Sequence, residues 1–255
     1  MQVDFAHKNV LITGGSRGIG KACAQLFSEL NANVIITYKS NKTLAEEVVA
    51  SLNPKQNHCC FQLDVADPEA VESFYQDFQN QYKHLDVLVN NAGIFTEHKI
   101  ETISYQEWQQ AWKQTLGTNL TGVANLCYFA AQQMIAQKEG KIINISSRGA
   151  FRGEPDHPAY GASKAGLNAM SQSLAVALAP HNITVGVIAP GFIETDMASE
   201  VLAGEAGEQI RKQSPLNRVG KPEEVAHVVA MFASSGLEFM TGGIIDLNGA
   251  SYLRS

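Results

Sequence analysis

Short apolar runs recur along the chain and alternate with stretches in which apolar residues return every three or four positions. The runs fall at 9–13, 33–37, 59–63, 87–90, 141–145, 183–189 and 244–247, and they are rich in Val and Ile. Runs of this length and composition predict strands buried on both faces. The intervening patterns predict helices at 18–30, 43–52, 68–81, 105–137, 160–178 and 222–232. Strand–helix alternation of this kind predicts an α/β fold: a doubly wound parallel sheet of about seven strands with helices on both faces. No Pro/Ser linker, low-complexity tract or repeat interrupts the pattern, so residues 1–255 read as one domain. The least regular part is 194–215. It admits two readings, a mobile flap over a site or a plain surface helix–loop.

Composition narrows the class without naming it. Of 255 residues, 45% are hydrophobic and 17% charged, an ordinary globular balance. A formal net charge of −6 argues against a general nucleic-acid or anionic-membrane binder, while leaving room for a local basic pocket. The four cysteines, Cys23, Cys59, Cys60 and Cys127, show no CxxC spacing and read as reduced thiols of a cytosolic protein. The first residues lack a basic and then apolar leader, and no apolar run approaches the roughly 18 residues that span a bilayer. A cytoplasmic location is therefore expected. The seven histidines have no metal-ligand spacing, and neither Ser146 nor Ser147 lies in G-x-S-x-G.

Two constellations carry chemistry. Residues 13–20 read Thr-Gly-Gly-Ser-Arg-Gly-Ile-Gly, directly after the first apolar run and before the first helical pattern. In a strand–turn–helix, Gly14, Gly18 and Gly20 let the backbone turn tightly and approach a pyrophosphate at a helix N-terminus. Ser16, Arg17 and Ile19 lie along the same turn, and the whole reads as a Rossmann-type dinucleotide site. The end of the second strand often carries an acid for the ribose 2′-hydroxyl. Here it carries Tyr38, Lys39 and Ser40. Lys39 and Ser40, with Arg17 opposite, suit a 2′-phosphate, which favours NADP(H) and leaves NAD(H) open. Solvated surface cations would give the same sequence. The second constellation is Tyr160 and Lys164, four apart and so on one helix face. An ammonium beside a phenol lowers its pKa from about 10, and the start of a helix just after Pro158 adds to that effect. Such a tyrosine can exchange a proton with a substrate oxygen. Ser147 lies thirteen residues upstream.

Taken together, residues 13–20, Asp64, Asn90-Asn91-Ala92-Gly93, Asn119, Ile145-Ser146-Ser147, Tyr160 to Lys164 and Pro190-Gly191 resemble the short-chain dehydrogenase/reductase family over nearly the whole chain. Within that family, the run from Pro190 to Met197 and the segment 217–226 look most like 3-oxoacyl-(acyl-carrier-protein) reductases. The resemblance implies that Asp64 and Val65 hold an adenine, and that Asn91, Ala92 and Gly93 flank the adenosine ribose and support the central strand. Pro190, Gly191, Ile193 and Thr195 would fix the nicotinamide carboxamide. Tyr160 would be the general acid of a reduction. Lys164 would lower its pKa and bind the nicotinamide ribose, Ser147 would orient the substrate carbonyl, and Asn119 would hold a water linking Lys164 to solvent. Relatives pair the helices here read at 105–137 and 160–178 across subunits, which implies a homotetramer.

Two features depart from that reductase pattern. The loop from Arg148 to His157 carries two arginines, two acids and a histidine. It suits a polar, even anionic, substrate, or else ion pairs within the loop or at a subunit interface. The helix before Asn119 looks one turn longer than usual. A carrier protein would also need a basic patch near the site, for which Lys138 and His181 are the candidates. The reading that results is an NADP-dependent oxidoreductase moving hydride between nicotinamide and a small carbonyl or secondary alcohol, with a 3-oxoacyl thioester as the specific substrate. A dehydrogenase of a sugar or hydroxy acid is the second reading. A non-catalytic dinucleotide-binding regulator is the third, and the intact set of Asn119, Ser147, Tyr160 and Lys164 argues against it.

Overall fold

The computed structural model describes residues 4–254. Seven strands form one parallel sheet: β1 (Asn9–Ile12), β2 (Asn33–Tyr38), β3 (Cys59–Gln62), β4 (Val87–Asn90), β5 (Gly140–Ile145), β6 (Ile183–Pro190) and β7 (Ile244–Leu247). Their order is β3-β2-β1-β4-β5-β6-β7. The central strands are buried on both faces, which is why they read as unbroken apolar runs rather than as alternation. The direction in which successive strands are added reverses between β1 and β4, which pair in parallel with Val10 opposite Val87 and Ile12 opposite Val89. In open α/β sheets the crevice at that switch, beyond the carboxyl ends of the strands, is where ligands bind.

Helices cover both faces. On one side α1 (Gly18–Glu29) and α2 (Lys42–Ser51) share a core with the last long helix, Pro222–Ala233; Val10, Ile12, Val34, Val89 and Ile143 point into it. On the other side lie α3 (Pro68–Gln81), α4 (Tyr105–Leu116), α5 (Gly122–Gln137) and, after α6 (Gly149–Arg152), the long α7 (Pro158–Leu178). Leu11, Leu88, Ile142 and Val185 point that way, against Phe78, Leu126 and Leu167. Local chemistry starts these helices where it should. Asn41 and Asp67 cap α2 and α3, Ser104 and Glu107 form a capping box on α4, and Pro68 and Pro158 stand in first turns.

The expected strands and the other long helices fall within two residues of these bounds. The helix expected over 105–137 does not run through. A π-helical turn, Gly117–Thr121, separates α4 from α5, and the Thr121 hydroxyl donates to the carbonyls of Leu116 and Gly117 at 3.1 and 3.2 Å. The irregular stretch 194–215 holds two short helices, α8 (Asp196–Ala203) and α9 (Glu205–Lys212), parted by Gly204; α10 is the helix Pro222–Ala233. These helices and the single turn of α6 are too short to show a period in the sequence. All four cysteines are free, and burial pushes the Cys23 and Cys127 thiols up to about 12, so these two pack as apolar side chains. Among the described residues no helix is long and apolar enough to cross a membrane.

Candidate active site

A cavity of about 580 Å³ opens at the carboxyl ends of the central strands. All the residues expected to bind cofactor or to catalyse line it, except Gly20 and Asn119. At its centre the glycine turn follows β1, with Gly14 at φ 64° and Gly18 at φ 53°, conformations that favour glycine. Asn91, just past β4, clamps this turn: its Nδ2 donates to the carbonyls of Thr13 and Gly14 at 2.9 and 3.0 Å. The Thr13 hydroxyl in return accepts from the N–H groups of Asn91 and Ala92, each at 3.0 Å. Gly20 lies behind the turn, where a Cβ would collide with the Gly14 carbonyl and sit 2.6 Å from the Asn91 amide. Gly20 thus allows close packing behind the turn and does not line the cavity. No side-chain oxygen caps α1 at Arg17, so the first N–H groups of the helix stand beside the cavity without a side-chain acceptor. This suits a pyrophosphate.

At the second-strand end, Lys39 Nζ lies 2.7 Å from Asp64 Oδ2. Burial alone would raise the Asp64 carboxyl, but the hydrogen bond from Lys39, the Ala66 N–H and the Lys39 charge hold it below its ordinary value. Lys39 is thus engaged across the cavity wall. Arg17 is exposed and, among the described residues, its side chain makes no hydrogen bond or ion pair. The two cations expected to meet a phosphate together both line the cavity, one paired and one open.

At the other end Lys164 is buried on α7, and its Nζ donates to the carbonyl of Ile145 at 2.8 Å. Burial pushes the Lys164 amine down to about 8. The nitrogen lies 5.7 Å from the centre of the Tyr160 ring. The expected lowering of the Tyr160 pKa is not found. Burial raises it, a hydrogen bond with Ser147 opposes the rise, and the nearby Glu154 charge adds to it. The ammonium is turned to a backbone carbonyl and protein atoms crowd the phenol at the cavity wall, so desolvation decides the sign. Ser147 Oγ also accepts from the Gly149 N–H at 3.0 Å.

Asn119 sits fully buried in the π-helical turn. Its Oδ1 accepts from the Ile94 N–H at 2.8 Å, and its Nδ2 donates to the Ile94 carbonyl at 2.9 Å and to Ser163 Oγ at 3.2 Å. Both amide hydrogens are spent inside the protein, so this side chain ties the segment after β4 to α7, and the water expected at Asn119 would donate to Oδ1 or to the main-chain carbonyl. Gly93 makes room for the arrangement: a Cβ there would meet Asn119 Oδ1 at 3.3 Å and Lys164 Nζ at 3.7 Å.

Two neighbours, Phe95 and His98, gave no sequence signal, because only the fold brings them to the start of α7. Phe95 stands edge-on to its ring at 4.7 Å, with His157 stacked flat on Phe95 at 3.6 Å. His98 accepts at Nε2 from the Ala159 N–H at 3.0 Å, and its Nδ1 lies 2.8 Å from the Thr96 carbonyl, to which it donates. It thereby serves one of the orphan donors at the start of α7. The charged loop contains no ion pair of its own among the described residues. Arg148 donates instead to Ser251 Oγ and Gln213 Oε1, each at 2.6 Å, and lies over the Phe192 ring. Lys138 and His181 are not near the site. They immediately precede β5 and β6, whereas the cavity lies beyond the opposite ends of these strands, about 20 Å away for a six-residue strand.

A glycine turn against a helix start at one end of a cavity, with a tyrosine, a buried lysine one helical turn on and a serine at the other, is the site of a nicotinamide-dependent oxidoreductase. A family model described as Enoyl-(Acyl carrier protein) reductase matches residues 14–249. The chain is 39% identical over 247 residues to 3-oxoacyl-(acyl-carrier-protein) reductase FabG of Staphylococcus aureus, covering 96% of this chain and 98% of that protein. It is 36% identical over 255 residues to the protein of the same name from Aquifex aeolicus, covering 99% and 100%. The solved structure described as "Crystal structure of gox2181" superposes with a TM-score of 0.90 at 31% identity, covering 98% of this chain and 97% of that one. The chain belongs to the short-chain dehydrogenase/reductase family, whose members are NAD(P)-dependent oxidoreductases acting on C=O and CH–OH groups.

Proposed function

We propose that this chain reduces 3-oxoacyl thioesters with NADPH. The observation that carries the reading is the shared cavity: Ser147, Tyr160 and Lys164 line one end of the space into which the glycine turn opens. The names of the relatives support the substrate. The start of α1 would receive the pyrophosphate, Asp64 and Val65 the adenine, and Arg17, Lys39 and Ser40 the 2′-phosphate end. Pro190, Gly191, Ile193 and Thr195 would face the nicotinamide. When bound, the dinucleotide supplies the hydride. Tyr160 gives its hydroxyl proton to the carbonyl oxygen as that oxygen becomes an alkoxide. Burial keeps the phenol protonated and so ready to donate. Ser147 would orient the carbonyl by a hydrogen bond, and Lys164 would hold the ribose hydroxyls. Asn119 is a positioning residue that fixes Ile94 and Ser163. Oxidation of a sugar or hydroxy acid is not favoured by the relatives.

The test is NADPH consumption with an acetoacetyl thioester, run against NADH. Tyr160→Phe is expected to lower kcat by roughly a hundred- to ten-thousand-fold with NADPH binding retained. Tight NADPH binding without turnover in the unaltered protein would favour the regulator reading. The same proposal includes a cytoplasmic homotetramer. Tyr128 on α5 and Val176 on α7 are 60% and 79% exposed, which suits pairing of these helices between subunits.

A further inference from the structure

Glu154 lines the main cavity beside Ser147 and Tyr160, half-buried. Its Oε1 and Ser147 Oγ lie 3.0 and 3.3 Å from the point that a Cβ on Gly149 would occupy, so they are no further apart than those two distances laid end to end. Among the described residues no N–H or O–H donates to this carboxylate and no cation pairs with it. The arginines that flank it in sequence bond elsewhere: Arg148 to Ser251 and Gln213, and Arg152 to Gln213 at 3.2 Å. Burial lifts the Glu154 carboxyl above its ordinary range, and the charges of Arg152 and Arg148 oppose the rise. A half-buried carboxylate gives up part of its hydration, and among the described residues no protein donor replaces it. An unsubstituted alkyl chain laid across it would cover the charge with methylenes and supply no donor. A substrate that carries its own donor would remove that penalty.

We propose that Glu154 is a specificity-determining residue that accepts a hydrogen bond from a hydroxyl on the substrate, borne on a carbon next to the reduced carbonyl or one further away. The inference rests on the reductase reading and adds to it a preference for carbonyl substrates that bear such a hydroxyl. The separation of Ser147 and Glu154 sets the range. One hydrogen bond holds the carbonyl oxygen and the other holds the hydroxyl, so the two groups must lie close together on the carbon chain.

Four-carbon ketones form a matched set of probes: 2-butanone, 1-hydroxy-2-butanone and 4-hydroxy-2-butanone, each followed by NADPH consumption. The unaltered enzyme is expected to favour at least one hydroxyketone over 2-butanone by about tenfold or more in kcat/KM. Glu154→Leu is expected to bring that ratio to within about twofold of unity, as the acceptor is gone. Glu154→Gln, whose amide oxygen still accepts, is expected to keep part of it. NADPH fluorescence titration verifies that each variant is folded and loaded. Equal use of the three ketones by the unaltered enzyme, or a preference that survives Glu154→Leu, overturns the assignment. Turnover of an acetoacetyl thioester with neither hydroxyketone used also overturns it. No turnover of any carbonyl compound, the thioester included, removes instead the reductase reading beneath it.

Discussion

Tyr160 and Lys164 share a helix face, yet burial acts on them in opposite directions. It holds the phenol neutral and makes the ammonium easier to discharge. The spacing was legible in the sequence; the sign of the Tyr160 shift was not, because it depends on how much water the fold leaves around the ring. Lys164 has a consequence for stability. Its folded value of about 8 lies below the ordinary 10.5, so between these pH values the unfolded chain binds more protons. Folding is penalised below pH 8 and the penalty lifts as pH rises. Lys164→Met carries no such charge. Urea denaturation at pH 7.5 and 9.5 is expected to show the unaltered protein gaining on this variant, by at most about 3 kcal/mol. A constant difference across that window would contradict a buried, charged amine.

Elements were the most legible level, and the places where the reading failed share a cause. Long strands and helices repeat their pattern often enough to declare a period. α6, α8 and α9 do not, and the π-helical turn displaces one register within a helix whose apolar spacing looks continuous on either side. That turn holds Asn119, so the irregularity falls at the site. The start of α7 depends in the same hidden way on His98, far off in sequence. His98→Phe keeps the bulk and deletes the acceptor. The expected cost is about 1–2 kcal/mol of stability, measured by denaturant unfolding. Because Tyr160 follows Ala159 directly, kcat is expected to fall further than the loss of folded protein explains.

At the scale of the molecule, the parallel sheet and its two helical layers followed from the alternation of strands and helices, while the strand order came from the structure. Which loops meet did not: the Arg148–Gln213 and His98–Ala159 contacts, and the distance of Lys138 and His181 from the site, exist only in three dimensions. Assembly is tested at this scale. Val176→Glu puts a charge on the exposed face of α7 and is expected to shift a tetramer to smaller species in sedimentation at micromolar concentration. An unchanged mass would place any interface elsewhere. The Asn91 clamp has a wider consequence. The loop that would grip a nucleotide is tied to residues more than seventy positions later, so no early fragment of the emerging polypeptide carries a finished grip. Occupancy by the dinucleotide would then reward closure of that clamp, and a nascent chain would gain the protection only after Asn91 had emerged.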